Sequence, residues 1–481
     1  MSSLKSNYTY SLINTVTKIL FPIITFPYVA RVLMPEGIGQ VNFFQSIIEY
    51  ITFFASLGIP IYAVREIARR KDDEKVMNRT AMEILLFNGL LTIVGYLAVL
   101  VISLTVPEVK ENLPLFLVLS ASVLFTMIGS EWFFQGVEDF KYITIRGLIV
   151  KIVAIAFLFA TVKTRDDLIY YGVYLVVGVV GGNIFNLFYL RKYIKRRFIE
   201  IRELRPMKHL SPSIRIFMIS VITSIYLQLD TIMLGFMQGN ESVGYYTGAM
   251  KLTKLLLGVT SSLCVVLLPR LSALAKNSDT DEFNRISGKS FDFVITISLP
   301  LVVGLIAMAP TLIYLFCGEE YVPSISCMQI AAPIILFISV SYVFAQLMYA
   351  IGKENVTIIM GVCGAVINLC VNLLLIPQYA QNGASFATLL AELGVMSAYV
   401  IVGRRYFKID IFKRRNLSPL VAVAVMGAVI VPLQFAEMPH LVNLFVTPLV
   451  GAVAYGTVLW KMRDTMFLEM IAIVLQKIKR K

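Results

Sequence analysis

Apolar stretches of about 20 residues, broken by short polar connections, recur from one end of the chain to the other. They fall near 11–33, 38–59, 82–104, 114–134, 143–162, 169–190, 213–237, 244–268, 291–316, 325–350, 356–376, 383–403, 417–435 and 442–460. Each is long enough to cross a bilayer as a helix, so the pattern predicts an all-α polytopic membrane protein with about 14 transmembrane helices. Spans of that number use roughly 280 residues and leave about 200 for connections and tails, too few for a sizeable soluble domain.

Composition agrees. Of the 481 residues, 58% are apolar and only 15% charged, and the mean hydropathy is +0.78. A secreted enzyme, a nucleic-acid factor and a soluble cytoplasmic domain are excluded. The net charge of +13 is a topology signal. Connections on one side hold only Lys110, Lys163 and Arg165, while most of the 43 Lys and Arg residues lie in connections on the other. The positive-inside rule then puts both termini in the cytoplasm, with some attraction to anionic inner-leaflet lipid and no nucleic-acid partner.

Several familiar chemistries find no support. The first apolar stretch contains Asn14, Thr15 and Lys18 and lacks a small-residue cleavage site, unlike a signal peptide. The five cysteines show no metal or redox spacing. Cys317 and Cys327 flank one outward loop, and pairing between them stays open. His209 and His440 fall in connections on opposite faces and read as solvated surface. Outward loops are short, which disfavours a glycan polymerase or other enzyme. Gly288-Lys289-Ser290 looks like the end of a phosphate-binding loop, but the glycine required five positions earlier is Phe283. No nucleotide site and no cofactor is expected.

A weak internal repeat is visible. Val32-Leu33-Met34 before Gly39 resembles Gly235-Phe236-Met237 before Gly244, and Tyr142–Ile145 resembles Val356–Ile359. The similar separations favour two parallel six-helix lobes around a central cavity, 1–190 and 213–403, joined by a basic cytoplasmic linker at 191–212. Two additional helices occupy 404–460. The tail, 461–481, has apolar residues at helical spacing and a basic end, and is expected to lie along the inner membrane surface.

Charges inside the spans are the most informative residues, because each costs about 2.5–3.5 kcal/mol at mid-bilayer unless it faces a cavity or a partner. Arg31, Glu83, Glu131, Arg215 and Asp292 lie near span ends, where snorkelling or capping accounts for them. The deeper set is Lys18, Glu49, Lys151, Asp230, Lys251, Lys254 and Glu392. Asp230 and Lys251 sit at matching depths of about 10 Å on consecutive antiparallel helices, either as a static ion pair or lining a cavity. Lys18 and Glu49 are placed to form the matching pair. Lys151 and Lys254 have no obvious opposite neighbour, although Glu392 could neutralise either, and they suit an anionic substrate. Pro22 and Pro27 interrupt the first span beside Lys18, as a gate or as an irregular packed helix. Gly178–Gly182 and Gly244–Gly248 have the spacing of close helix packing.

The segment FPYVARVLMPEGIGQ (26–40) resembles the first helix and turn of bacterial polysaccharide transporters of the O-antigen flippase type. That family belongs to the multidrug, oligosaccharidyl-lipid and polysaccharide exporter superfamily. EWFFQGVEDFKYITI (131–145), LQLDTIMLG (227–235) with VGYYTGAMKLTK (243–254), and NGASFATLLAE (382–392) resemble later parts of the same family. The resemblance implies flipping of an undecaprenyl-diphosphate-linked oligosaccharide, an O-antigen or capsule-type repeat unit. Movement would run from the inner to the outer leaflet of the bacterial cytoplasmic membrane by alternating access. On that reading Lys18, Arg31, Lys151, Lys251 and Lys254 would be the cavity cations. Asn14, Gln45, Gln228 and Asn372 would face sugar, or else bond helix to helix. Glu49, Asp230 and Glu392 would couple a proton or sodium ion, and a polysaccharide polymerase would be the downstream partner. A multidrug or cation antiporter and a lipid II flippase of the same superfamily are the alternatives.

Overall fold

A computed structural model of the chain describes residues 4–198, 200–276, 280–407, 417–436 and 438–479. Side chains at positions within 4–19, 196–201, 219–227, 259–276 and 473–479 lie outside that description, among them those of Asn14 and Lys18. The described residues are almost entirely helical.

Two very long helices each double as a pair of spans. The first, Leu4–Ser56, breaks at Met34, which takes φ 60° and ψ 174°. Pro35 follows it, and a residue before proline is driven out of the α region. We label the halves α1 (4–33) and α2 (35–56). The second, Glu354–Gly403, breaks at Ala380 with φ 47° and ψ −126°, giving α11 (354–379) and α12 (381–403). Gly383 is required just after this break, since a Cβ there would sit 2.4 Å from the Leu375 carbonyl oxygen.

The remaining spans are α3 (Glu74–Thr105), α4 (Leu113–Gly129), α5 (Phe140–Thr161) and α6 (Leu168–Leu190). They continue as α7 (Leu210–Gln238), α8 (Asn240–Lys276), α9 (Thr280–Phe316) and α10 (Ser324–Ala350). The last two are α13 (Leu417–Leu433) and α14 (His440–Lys461). Each expected span thus has its own helical segment. A tail helix, α15 (Thr465–Lys479), follows.

Capping fixes several starts. The Asp73 carboxylate accepts the Val76 N–H at 3.0 Å and Asp139 accepts that of Tyr142 at 3.3 Å. Asp464 takes the Phe467 N–H at 2.9 Å and the Ser418 hydroxyl at 2.5 Å, which ties the tail helix to α13.

On α3 the residues Leu90, Ile93, Val94, Leu97, Leu100, Val101 and Leu104 are all exposed. A continuous apolar stripe of that length has no place against water, and it marks a face toward lipid. Among the described residues nine helices are long and apolar enough to cross a membrane.

Contacts divide the chain into two compact units, Met1–Gly235 and Phe236–Lys481. In the first, the short helices Ile59–Arg70 and Glu131–Gly136 pack Ile59, Tyr62, Phe133 and Phe134 against Ile84 and Phe87 of α3. In the second, one core joins α9, α10 and α12 through Phe291, Phe344 and Tyr399. Another seats α13 and α14 on α9 through Ala307, Met426 and Tyr455.

Three local expectations change. His209 is not on the surface but 1% exposed, its Nδ1 2.7 Å from the Tyr62 hydroxyl and its Nε2 3.3 Å from Glu83. Glu83 does not snorkel. It is fully buried and takes the Arg205 N–H at 3.0 Å, a Lys208 ion pair and a longer Arg79 contact at 3.4 Å. The connection that looked like a free basic linker is therefore fastened to α3, where Arg79 also pairs with Glu203 at 2.8 Å. Cys317 and Cys327 are both buried and not joined by a disulfide, with Cys327 Sγ 2.8 Å from the Ser385 hydroxyl.

Candidate functional site

The first unit encloses a cavity of about 510 Å³ between α1, α5, α6 and the Glu131 segment. Sequence dictates its walls. Pro22 breaks the inner surface of α1. On α5, Arg146, Val150 and Ala154 share one helical row, and Lys151 joins them from its side in lining the cavity. On α6, Gly178 lies within a π turn, Val177–Gly181, and Gly182 directly follows it, and their missing side chains leave the space open. Such turns are rare and recur at functional sites.

Arg146 is the centre of the polar chemistry. Its side chain is 9% exposed, and Nη2 lies 3.3 Å from Glu131 Oε2. Nη1 donates to Asn186 Oδ1. Asn186 is fully buried and donates in turn to the Gly129 carbonyl, while Asn183 donates to the Phe125 carbonyl at 2.9 Å. Asn186 thereby satisfies the last carbonyl of α4, which an unassisted helix end leaves without a donor, and Asn183 adds a bond one turn earlier. Half-buried Lys151 sits with its ammonium 5.5 Å from the Phe21 ring centroid, within cation–π range. Two cations against one carboxylate leave the cavity with an excess positive charge. A neighbouring cavity of about 470 Å³ shares Arg146 and Val150, and Asp139, Tyr142 and Tyr189 line it. There the Tyr142 and Tyr189 rings stack at 3.8 Å.

The expected site residues distribute unevenly. Lys151 lies in the charged cavity. Glu49, exposed on α2, accepts from Gln45 at 2.7 Å and from Gln228 of α7, and Ser46 donates to the same Gln228 at 3.2 Å. Gln45 and Gln228 thus serve as bonds within and between helices. Asn372 likewise donates to Asn368 at 3.0 Å. Arg31 and Lys254 are exposed, Lys251 is half-buried, and Asp230 and Glu392 are buried. Lys18 falls outside the described side chains.

Sequence reasoning alone misses Arg146, Asn183 and Asn186 and places Glu131 at a helix end. Arg146 is near the basic end of its span, where its charge counts naturally with the connection. A usable signal was present: Arg146 is a second cation less than two turns from Lys151 in an otherwise apolar run.

A bundle of this helix count with a charged cavity inside one unit defines a multi-pass membrane transporter. Solved structures share the fold. The "Lipid II flippase MurJ, inward closed conformation" superposes with a TM-score of 0.77 at 16% identity, covering 95% of this chain and all of that one. An inward-facing multidrug resistance MATE family transporter of the MOP superfamily gives 0.65 at 16% identity, over 80% of this chain and 94% of that one.

The sequence narrows the class. Residues 4–275 match the family described as "Polysaccharide biosynthesis protein", and 216–374 match MatE. The chain belongs to the polysaccharide biosynthesis protein family. Among its relatives is an Escherichia coli (strain K12) protein named "Putative O-antigen transporter", 24% identical over 84% of this chain and 97% of that one. Another is the Staphylococcus aureus "Capsular polysaccharide biosynthesis protein CapF", 23% identical over 83% and 99%.

Proposed function

We propose that this protein flips a polyprenyl-diphosphate-linked oligosaccharide from the inner to the outer leaflet of the cytoplasmic membrane, with both termini cytoplasmic. The observation that carries the reading is the excess positive charge held by Arg146 and Lys151 in a membrane-embedded cavity of a polysaccharide biosynthesis family member. Lipid tails stay in the bilayer during such a movement, but a diphosphate and its sugars cannot enter hydrocarbon without compensating charge and hydrogen bonds.

Alternating access of two parallel six-helix repeats, 1–190 and 213–403, would carry the head group across. Lys18, Arg31, Lys251 and Lys254 would add to the cation set. Glu49, Asp230 and Glu392 would bind the coupling proton or sodium ion, and a polysaccharide polymerase would consume the product. The MatE match over 216–374 supports a second reading, a multidrug or cation antiporter. Such a protein needs an acidic cavity for cationic drugs, opposite in sign to the one described.

Mass spectrometry of lipid-linked glycans in a host lacking the gene tests the assignment. Accumulated polyprenyl-diphosphate oligosaccharide with loss of surface glycan is the expected result, and accumulated lipid II would move the assignment to a lipid II flippase. Unchanged glycans with new drug sensitivity would overturn it in favour of the antiporter.

A further inference from the structure

Arg146 is held as though part of its binding capacity were reserved. A guanidinium presents five N–H groups, and its Nε/Nη2 edge is the fork that grips a carboxylate or phosphate at two points. Here Nη2 meets Glu131 at 3.3 Å, a long single contact, while Nε is buried with no hydrogen-bond partner among the described residues. Leaving a buried charged donor without an acceptor is costly. A purely architectural ion pair would close the fork on both carboxylate oxygens.

The surroundings suit an incoming acceptor. Glu131 remains 38% exposed, so its carboxylate has room to withdraw. Asn186 anchors the opposite prong, Nη1, and would keep the guanidinium in place when the carboxylate leaves. Gly182 lies over the unpaired edge, where a Cβ would come within 3.1 Å of Nε. Lys151, five residues along α5, supplies a second cation to the same cavity.

We infer that Arg146 and Lys151 bind a phosphoryl anion inside the first unit, and that Glu131 is the built-in ligand this anion displaces. Two sources offer the chemistry: the diphosphate of a prenyl-linked substrate and the phosphate of a membrane phospholipid. Only the first rests on the function proposed above. The site itself requires no transport assay.

The test uses the full-length protein in nanodiscs of zwitterionic phosphatidylcholine, with farnesyl diphosphate as the probe and farnesol as the uncharged control. Titration calorimetry is expected to show binding of the diphosphate and not of the alcohol. Arg146→Gln should weaken it by about tenfold or more, and Gly182→Ala should weaken it by crowding the unpaired Nε. Glu131→Gln should instead strengthen binding, because the competitor loses its charge. That gain is the informative readout, since breaking a merely structural ion pair would lower thermal stability and leave affinity where it was. Unchanged affinity in both Arg146→Gln and Glu131→Gln, each checked for a native gel-filtration profile, would overturn the inference.

Nanodiscs of anionic phosphatidylglycerol separate the sources. Loss of farnesyl diphosphate binding there, with Arg146-dependent retention of the lipid in native mass spectrometry, supports the phosphoryl site with phospholipid as its occupant. Retained binding supports the prenyl diphosphate. A failed glycan phenotype would sink the proposed function while leaving these affinities standing.

Discussion

The two units each contain a cavity of similar size, built with opposite chemistry. The one in the first unit, about 510 Å³, holds Arg146, Lys151 and Glu131. The one in the second unit, about 560 Å³, lies among α9, α13, α14 and α15, with Leu305, Met308, Met426, Leu444 and Phe467 on its walls. Polar groups around the second are already engaged: the Tyr455 hydroxyl donates to the Thr296 carbonyl at 2.7 Å, and Thr447 donates to Asn443. Helical architecture alone therefore does not create a polar cavity. A few side chains on one helix face decide whether the space binds charge or stays dry.

The sharpest way to break this comparison is to exchange the chemistries. Leu305 is 2% exposed on the wall of the apolar cavity, and Leu305→Lys should cost about 3 kcal/mol or more, since nothing there compensates an ammonium. The expected outcome is loss of the folded peak in gel filtration. Lys151→Leu should fold normally and lose transport. A well-folded Leu305→Lys protein would show that the second cavity is as tolerant of charge as the first.

A smaller effect separates a satisfied buried charge from the partly satisfied Arg146. Glu83 gathers Arg205, Lys208, Arg79 and His209. Glu83→Ala should lower stability by about 2 kcal/mol, on the scale of hydrogen bonds to a charged group. Glycan transport per folded molecule should be retained. A lower melting temperature with normal turnover is the expected pair of readings. Normal stability would mean that the fastened connection contributes nothing to the first unit.

The smallest effect is a pH dependence. Burial, then the neighbouring Lys208 ammonium, push the His209 imidazole below its usual value of 6.5, with the Glu83 and Glu66 carboxylates opposing them. The native state thus favours neutral His209, whereas the unfolded chain titrates near 6.5. Its contribution is complete above about pH 6.5 and declines as pH falls through and below that value. His209→Gln should flatten the slope of melting temperature against pH between 7 and 5. An identical slope would remove His209 from the account.

Much of the fold was legible because the spans announce themselves by apolar length, and because Met34-Pro35-Glu36-Gly37 and Gln381-Asn382-Gly383 mark turns inside otherwise continuous helices. The site was legible only in part. Lys151 stood out as a cation deep in an apolar run. Arg146 did not, since proximity to a basic connection made its charge look like topology. Asn183 and Asn186 are ordinary polar residues until α4 is seen to end opposite them. His209 and Glu83 were misjudged for a related reason. Hydropathy ranks residues along the chain, whereas the fastening of 191–212 onto α3 is made by contacts between residues more than a hundred positions apart.

The π turn at Val177–Gly181 acts as a phase setter. It closes over one residue more than an α turn, so everything beyond it is rotated by about 100° relative to an unbroken helix. Asn183 and Asn186 meet the carbonyls of Phe125 and Gly129 in that rotated phase, and Asn186 then holds Arg146. Removing one residue from this turn would leave the hydropathy of α6 almost untouched while swinging both asparagines away from α4. In this stretch the number of residues carries more chemical information than their identity.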